Sequence, residues 1–239
     1  MRKGIRFERK LQLMGLAVLA AATPVLVWVA WRSEQALMQS RMDQTKRVVE
    51  VAVTSIEHEV QHAREGEKSR EEAQEAAIAN VRQMRYAGQE YFWINDMGPK
   101  MVMHPFKPEL EGKDLSENQD PTGKRLFVEM VETVKKQGSG FVSYQWPKPG
   151  QPKPVPKISY VAGIPEWGWV VGSGIYVDDV NAEIARQRTV IAIVYLVLVA
   201  LCLLGTGAIA HLVTRDLHVI VNEAGRAGGG DLTGRARVS

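Results

Sequence analysis

The chain has 239 residues and a net charge of +3, and it is long enough for one domain plus accessory segments. Residues 32–189 contain 21 Lys and Arg against 23 Asp and Glu, a net charge of −2, which gives no indication of nucleic-acid binding. Cys202 is the only cysteine, and this excludes an intrachain disulfide.

Two apolar segments dominate the sequence. Leu11–Trp31 and Val190–Ala210 each have 21 residues without a charge, and about 20 such residues cross the hydrocarbon core of a membrane as a helix. The first could also be a secretory signal, but a cleaved signal has an apolar region of about 7 to 15 residues before a small-residue cleavage site. Here the run is longer and ends in two tryptophans. We therefore predict two transmembrane helices, at 11–31 and 190–212.

The basic residues that flank these spans predict their orientation. Five precede the first span and four follow the second: Arg2, Lys3, Arg6, Arg9, Lys10, Arg215, Arg226, Arg235 and Arg237. Because Lys and Arg accumulate on the cytoplasmic side, segments 1–10 and 213–239 are predicted to be cytoplasmic. Residues 32–189 then form an extracytoplasmic domain.

A long helix is predicted to leave the first span. Residues 32–64 contain no proline or glycine. At about 100° per residue, the apolar side chains fall within one narrow seam. These are Val49, Ala52, Val53, Ile56, Val60 and Ala63.

The same helix contains His58-Glu59-Val60-Gln61-His62, which has the spacing of a zinc metalloprotease motif. Both histidines lie at about 200° to 240° from Ile56, opposite the apolar seam. The extended form of the motif would need glycine at 65 and histidine at 68, where Glu65 and Lys68 stand. Glu71, Glu72 or Glu75 could still supply a third ligand. We interpret the motif as a solvated face, expect no metal site, and keep a membrane zinc hydrolase as an alternative.

The remaining elements predict an α+β domain. A capping box at Ser69-Arg70-Glu71-Glu72 starts a second helix that runs to about Ala87. A β-hairpin follows, with strands at 91–94 and 101–104. After a loop at 105–121, a helix is predicted at 124–137, with strands at 141–146, 157–162 and 169–177 and a proline-rich loop at 147–156. The prediction is an antiparallel sheet of about five strands with a long N-terminal helix, flanked by two transmembrane helices.

Several ordered motifs carry a resemblance to a known family. The stretches YFWINDMGPKMVMHP, GSGFVSYQWPKPG and PKISYVAGIPEWGWVVGSGIY closely resemble the single-Cache domains (type 2) of bacterial methyl-accepting chemotaxis proteins, over nearly all of residues 35–185. Past the second span, Gly230-Asp231-Leu232-Thr233 resembles the start of a HAMP linker. Two departures are Asp216, where the HAMP pattern usually has proline, and the end of the chain within the linker.

The resemblance implies a PAS-like sheet with a pocket for a short carboxylate such as acetate, propionate, pyruvate or lactate. Because side chains alternate along a strand, Tyr91 and Trp93 lie on one face of their strand. The same holds for Val142 with Tyr144 and for Lys157 with Ser159. If these sides converge, Lys157 would supply the charge and Tyr91, Tyr144 and His104 hydrogen bonds. Trp93 and Met103 would pack the alkyl end. The predicted ligand-binding residues are Tyr91, Trp93, Met103, His104, Tyr144, Lys157 and Ser159.

Taken together, these patterns predict a chemoreceptor in the bacterial inner membrane. It would be a homodimer without a cofactor or enzymatic activity, and it would act on cytoplasmic signalling proteins through an output module. The alternatives are the sensor half of a histidine kinase or nucleotide cyclase, the zinc hydrolase, and an extracytoplasmic interaction domain without a small ligand.

Overall fold

The computed structural model describes residues 2–228, and the Gly230–Thr233 stretch lies outside them. In chain order the helices are α1 (Arg2–Arg64), α2 (Arg70–Gln83), α3 (Leu126–Gln137) and α4 (Val177–Gly228). The strands are β1 (Arg85–Tyr86), β2 (Glu90–Asp96), β3 (Met101–Met103), β4 (Ser139–Pro147), β5 (Pro154–Ile164) and β6 (Trp169–Tyr176). A short 3-10 helix covers Pro108–Leu110.

The chain divides into two compact units. One consists of the residues up to Ser33 and from Ala185, and the other of Glu34–Ile184. In the first unit, α1 and α4 each contain a segment long and apolar enough to cross a membrane. The Thr23 hydroxyl lies 2.7 Å from the Tyr195 hydroxyl, which joins the two helices by a hydrogen bond.

The second unit is built around an antiparallel sheet in the order β1-β2-β6-β5-β4, with β3 paired to β2. This confirms the α+β prediction, with the two-residue strand β1 in addition. The second helix ends at Gln83 rather than near Ala87, because Arg85 and Tyr86 pair with β2. The predicted loop at 147–156 is shorter in the structure, because Pro147 ends β4 and both Pro154 and Pro156 belong to the start of β5. There β5 pairs only with β4, so its other edge needs no proline N–H.

Both faces of the sheet are covered. One face packs against the predicted α1 seam and against α2, with Val49, Ala52, Ile56 and Val60 buried. The capping box at Ser69 and Glu72 starts α2 as predicted. The other face is covered by α3, whose buried residues are Leu126, Phe127, Met130, Val131 and Val134.

The histidine motif on α1 is engaged in other contacts. Glu59 is buried and its Oε2 accepts a hydrogen bond from Lys68 Nζ at 2.6 Å, and His62 pairs with Glu67. Among the side chains that the structure describes, no three His, Cys, Asp or Glu are grouped so that they could hold a metal ion. The zinc hydrolase alternative therefore has no third ligand within the described residues.

Asp120 fixes the loop that precedes α3. Its carboxylate accepts hydrogen bonds from the N–H groups of Thr122 at 2.8 Å, Lys124 at 3.1 Å and Gln145 at 2.8 Å. Burial alone would raise the pKa of Asp120, but the hydrogen bonds together lower it below its usual 3.8. The loop and β4 are thus held by one ionised group.

Replacing Asp120 with alanine should lower the free energy of unfolding by about 1 to 3 kcal/mol at pH 7, because three N–H donors lose their acceptor. A carboxyl group with a lowered pKa stabilises the fold above its unfolded pKa of about 3.9, and this contribution disappears as the pH falls through the lower folded value. Urea unfolding should therefore show a smaller difference in the free energy of unfolding between the native chain and Asp120→Ala at pH 3 than at pH 7. The control Glu132→Ala removes only an exposed pair with Lys136, worth about 0.5 kcal/mol or less. An equal Asp120 effect at both pH values would contradict this prediction.

Candidate ligand-binding site

Lys157 is a buried cation without an acidic partner. Its side chain is only 1% exposed. The ammonium lies 4.2 Å from the ring centre of Tyr91, 4.5 Å from that of Tyr176 and 5.7 Å from that of Trp93. Its one hydrogen bond goes to the Tyr176 hydroxyl at 3.5 Å, and no ion pair of the described residues includes it. A buried charge costs free energy unless an opposite charge compensates it, so this environment favours an incoming anion.

The strand register explains why Lys157 occupies this position. β5 lies between two strands, and Lys157 is opposite Tyr144 of β4 and Tyr176 of β6. Paired residues of an antiparallel sheet project to the same side. The three side chains therefore share the face that α3 covers, where Tyr91 and Trp93 are also buried.

Three further hydroxyl groups lie on the same face of the sheet as Lys157. The hydroxyls of Tyr144 and Ser159 are 2.8 Å apart, and Tyr176 donates a hydrogen bond to the Pro147 carbonyl at 3.0 Å. Burial raises the pKa of Tyr144 well above its usual 10 and also raises the pKa of Tyr176. Both phenols stay neutral, so they can donate hydrogen bonds without cancelling the charge of Lys157.

His104 presents a neutral imidazole of defined tautomer. Its Nδ1 accepts the backbone N–H groups of Phe106 at 3.2 Å and Lys107 at 3.0 Å, so the ring hydrogen is on Nε2. Burial lowers the pKa of His104 to about 3, and the positive charges of Lys157 and Lys107 act in the same direction. The side chain can therefore donate one hydrogen bond from Nε2 to a ligand.

A cleft of about 320 Å³ opens beside these groups. It is bordered by Tyr91, His104, Phe106, Lys107, Trp146 and the loop 147–152. Tyr91 stands between the cleft and Lys157, because its ring borders the cleft and also lies against the ammonium. Tyr91 thus contacts both the cleft and the buried ammonium.

The structure brings six of the seven predicted residues together. Tyr91, Trp93, Tyr144, Lys157 and Ser159 are on the face that α3 covers, and the His104 ring centre is 5.0 Å from that of Tyr91.

Met103 is the exception, because it is buried in the opposite cluster, under the helices α1 and α2. The register shifts there, with Ile94 opposite Met103 but Asn95 opposite Met101. This irregularity turns Met101, instead of Met103, toward α3.

Three further residues of this region were not predicted. Tyr176 contacts Lys157, while Trp146 and Phe106 border the cleft. Trp146 could have been found by alternation, since it lies two residues after Tyr144 on the same strand. Tyr176 depends on the pairing of β5 with β6, which the local sequence pattern does not define.

We expect His104 to remain neutral between pH 5 and 8. ¹⁵N NMR of histidine-labelled protein should show one ring with hydrogen on Nε2 and no titration in this range. A histidine with a lowered pKa reduces stability as the pH falls below the unfolded value of about 6.5, because the unfolded chain binds the proton first. His104→Asn, whose amide oxygen can accept the same N–H groups, should reduce this acid sensitivity. A midpoint between pH 5 and 8 for this ring would contradict the prediction.

Comparison with known proteins places this geometry in a family. The Single Cache domain 2 family matches residues 37–189, which is most of the chain. The chain belongs to the Single Cache domain 2 family. The match covers the sheet, α2, α3 and every residue of the candidate site.

The relatives of this Single Cache protein are receptors. The methyl-accepting chemotaxis protein McpP of Pseudomonas putida is 43% identical over 201 residues, which cover 83% of this chain and 37% of McpP. The chemotaxis protein CtpM of Pseudomonas aeruginosa is 29% identical over 222 residues, 87% of this chain and 39% of CtpM. The sensor histidine kinase MctS of Rhizobium johnstonii is 25% identical over 191 residues, 74% of this chain and 41% of MctS. The chain thus spans about two fifths of the length of these curated relatives.

Two solved structures resemble the Single Cache unit. A periplasmic sensor domain of a chemotaxis protein is 53% identical with a TM-score of 0.58, covering 59% of this chain and 97% of that one. A Cache chemosensory domain, solved for the structural basis of carboxylic acid recognition, is 43% identical with a TM-score of 0.58, covering 60% and 97%. The chain therefore contains a chemoreceptor-type sensor domain, homologous to those of methyl-accepting chemotaxis proteins.

Proposed function

We propose that this protein is the sensor portion of a transmembrane chemoreceptor that binds a short monocarboxylate outside the cell. The observation that carries the proposal is the buried ammonium of Lys157, which forms no ion pair with any described residue. The relative solved for carboxylic acid recognition supports the ligand class. Acetate, propionate, pyruvate and lactate are the candidates.

The charge of the site favours one carboxylate over two. Lys157 is the buried cation of the site, Lys107 at the cleft is partly exposed to solvent, and His104 and Tyr144 are neutral. A second buried carboxylate would have no counter-charge and would be costly to desolvate. The ligand carboxylate would accept hydrogen bonds from Lys157, Tyr91 and His104, and its alkyl end would pack on Trp93. Tyr91 must turn aside to admit it, because its ring stands between the cleft and Lys157.

The small size of the ligand limits its affinity. A molecule of about five heavy atoms gains at most about 7.5 kcal/mol, at about 1.5 kcal/mol per atom. This corresponds to a Kd no tighter than a few micromolar. The receptor would therefore respond to nutrient concentrations in the micromolar range and above.

The path of the signal follows from chain connectivity. β6 ends at Tyr176, beside Lys157, and α4 begins at Val177 without a loop. Lys148, on the loop that borders the cleft, also forms ion pairs with Asp178 at 2.8 Å and Asp179 at 2.7 Å in the first turn of α4. A ligand that moves Tyr91 or this loop would shift α4, and α4 contains the second apolar span.

The membrane arrangement is part of the same proposal. The protein would cross the bacterial inner membrane twice, with both termini in the cytoplasm, and would act as a homodimer. Its output would pass through a HAMP linker to a methyl-accepting module. A kinase output is the second candidate, favoured by the similarity to MctS. The sequence of the segment that follows residue 239 would decide between them.

A thermal-shift screen of the full chain in detergent tests the ligand class. At a concentration of about 100 times Kd, a true ligand stabilises the native state by about 2.7 kcal/mol, which should raise Tm by several degrees. Acetamide, which has the shape of acetate without its charge, is the matched control and should have no effect. If none of the four acids raises Tm, or if acetamide acts equally, the carboxylate proposal fails and an interaction domain without a small ligand becomes the better interpretation.

A further inference from the structure

Glu90 is a half-buried glutamate with one buried, unused acceptor atom. It is the first residue of β2, directly before Tyr91. Its Oε2 is buried and has no hydrogen-bond partner among the described residues. The side chain lines two cavities, of about 180 Å³ and about 300 Å³. An unsatisfied buried oxygen in a native fold calls for an explanation.

The cavities around Glu90 adjoin the ligand cleft. The larger one shares Lys148, Pro149 and Gln151 with the cleft. Tyr176, which lines both Glu90 cavities, is the residue whose hydroxyl and ring contact Lys157. Glu90 and Lys157 therefore lie on two sides of one tyrosine.

Most charged groups that face Glu90 already have partners. The titratable and charged neighbours come from α1, β1, β2, β5, β6, the β4–β5 loop and α4: Arg41, Tyr86, Tyr91, Lys157, Tyr176, Lys148, Asp179 and Glu183. Arg41 pairs with Glu183 at 2.7 Å and Lys148 with Asp179 at 2.7 Å.

The tyrosine beside Glu90 adds no further charge. The Tyr86 hydroxyl bonds Ser173 at 2.8 Å, and burial raises the pKa of Tyr86 to about 12. Among the described residues around these cavities, Lys157 and Glu90 are thus the two charged groups that form no ion pair.

The two groups influence each other through the interior. Burial raises the pKa of Glu90, while the positive charge of Lys157 lowers it. An anion bound to Lys157 would compensate its positive charge. The pKa of Glu90 would then no longer be lowered by Lys157 and would rise. The carboxyl group of Glu90 would then hold a proton more firmly.

We propose that Glu90 is the resident counter-charge of Lys157 in the ligand-free sensor and takes up one proton from solvent when the ligand carboxylate binds. This inference rests on the proposed function. The charge balance stays constant, since the ligand adds one negative charge and Glu90 loses one. Binding then tightens as the pH falls, by at most about tenfold per pH unit. An acidifying carboxylic acid would thus be detected more sensitively in the acid conditions that it produces.

Proton uptake can be measured directly by titration calorimetry. The full chain in detergent would be titrated with acetate and with pyruvate at several pH values from 6 to 7.5. In this range short carboxylic acids are ionised, like a free glutamate of pKa about 4.3. Repeating each titration in buffers with different ionisation enthalpies gives the number of protons bound per ligand. We expect uptake by the native chain, less uptake at higher pH, and none by Glu90→Gln, whose affinity should no longer depend on pH.

The matched control is Glu75→Gln, which removes the same charge from an exposed site on α2 and should leave the uptake unchanged. If an acid binds the native chain without proton uptake, the inference fails and the carboxylate site stands. If Glu90→Gln takes up as many protons as the native chain, the proton goes to another group and the role of Glu90 is wrong. If neither acid binds, the proposed function fails and the inference with it.

Discussion

Lys157→Met should abolish carboxylate binding and at the same time stabilise the ligand-free protein. Removing one member of a buried charge pair costs about 2 to 5 kcal/mol of binding free energy, which is a factor of about 30 to several thousand in Kd. Methionine is flexible, has a similar length and packs well on aromatic rings such as those of Tyr91 and Tyr176. The unliganded variant should therefore have a higher Tm than the native chain, because no buried ammonium has to be desolvated and Glu90, without its counter-charge, takes up a proton and becomes neutral.

The two readouts separate a binding role from a structural one. If Lys157 only supported the fold, its replacement would lower the Tm of the unliganded protein. Lys46→Met is the matched control, since Lys46 also lies over a tyrosine ring, 5.9 Å from the centre of Tyr160, but is half-exposed on α1. It should leave both ligand binding and Tm nearly unchanged. A Lys157→Met variant that still gives the native calorimetric signal with acetate would remove Lys157 from the site.

Gly174→Ala is expected to give the largest loss of stability. A Cβ atom at this position would overlap the Ser159 hydroxyl and lie 2.6 Å from the Ile158 carbonyl oxygen and 2.8 Å from Ser159 Cα. Two of these atoms are backbone, so β5 and β6 would have to separate. Overpacking costs about 1 to 3 kcal/mol and occasionally more, and each kcal/mol lowers Tm by about 2 to 4 °C in a domain of this size.

The loss should extend to the ligand site, because the Ser159 hydroxyl is paired with that of Tyr144. Thermal unfolding and calorimetry with acetate measure the two effects. Gly98→Ala is the control, since the nearest atom to its Cβ would be a side-chain oxygen of Asp96 at 3.4 Å, an ordinary contact. A Gly174→Ala variant within 1 °C of the native Tm would show that the two strands can separate at little cost.

Alternation along single strands predicted much of the site. It put Tyr91 with Trp93 and Lys157 with Ser159, and the structure has both pairs on the face that α3 covers. Alternation succeeds within a regular strand because successive side chains must point to opposite sides. It does not define which residues pair across two strands, and Met103 was misplaced because it lies opposite Ile94, on the face under α1 and α2.

The role of Glu90 could not be anticipated from its neighbours in sequence. The residue stands at the start of β2 in a stretch that is rich in aromatic side chains, where a glutamate would ordinarily face solvent. Its burial results from α1, β1, β6 and α4 meeting around it. Apart from those with β1, these contacts join Glu90 to residues more than 40 positions away, and no local pattern encodes them.

Local residue patterns were enough to predict several elements of this protein. These are the two apolar spans, the buried seam of α1, the capping box of α2 and the inward face of α3. Each follows from residue spacing within one element, because helical and strand periodicity fix which side chains share a face. Three features became visible only in the folded domain. They are the strand order, the contact of Tyr176 with Lys157, and the burial of Lys157 and of the Glu90 Oε2 atom. These depend on pairing between distant segments, whose register is selected by the packing of the whole domain.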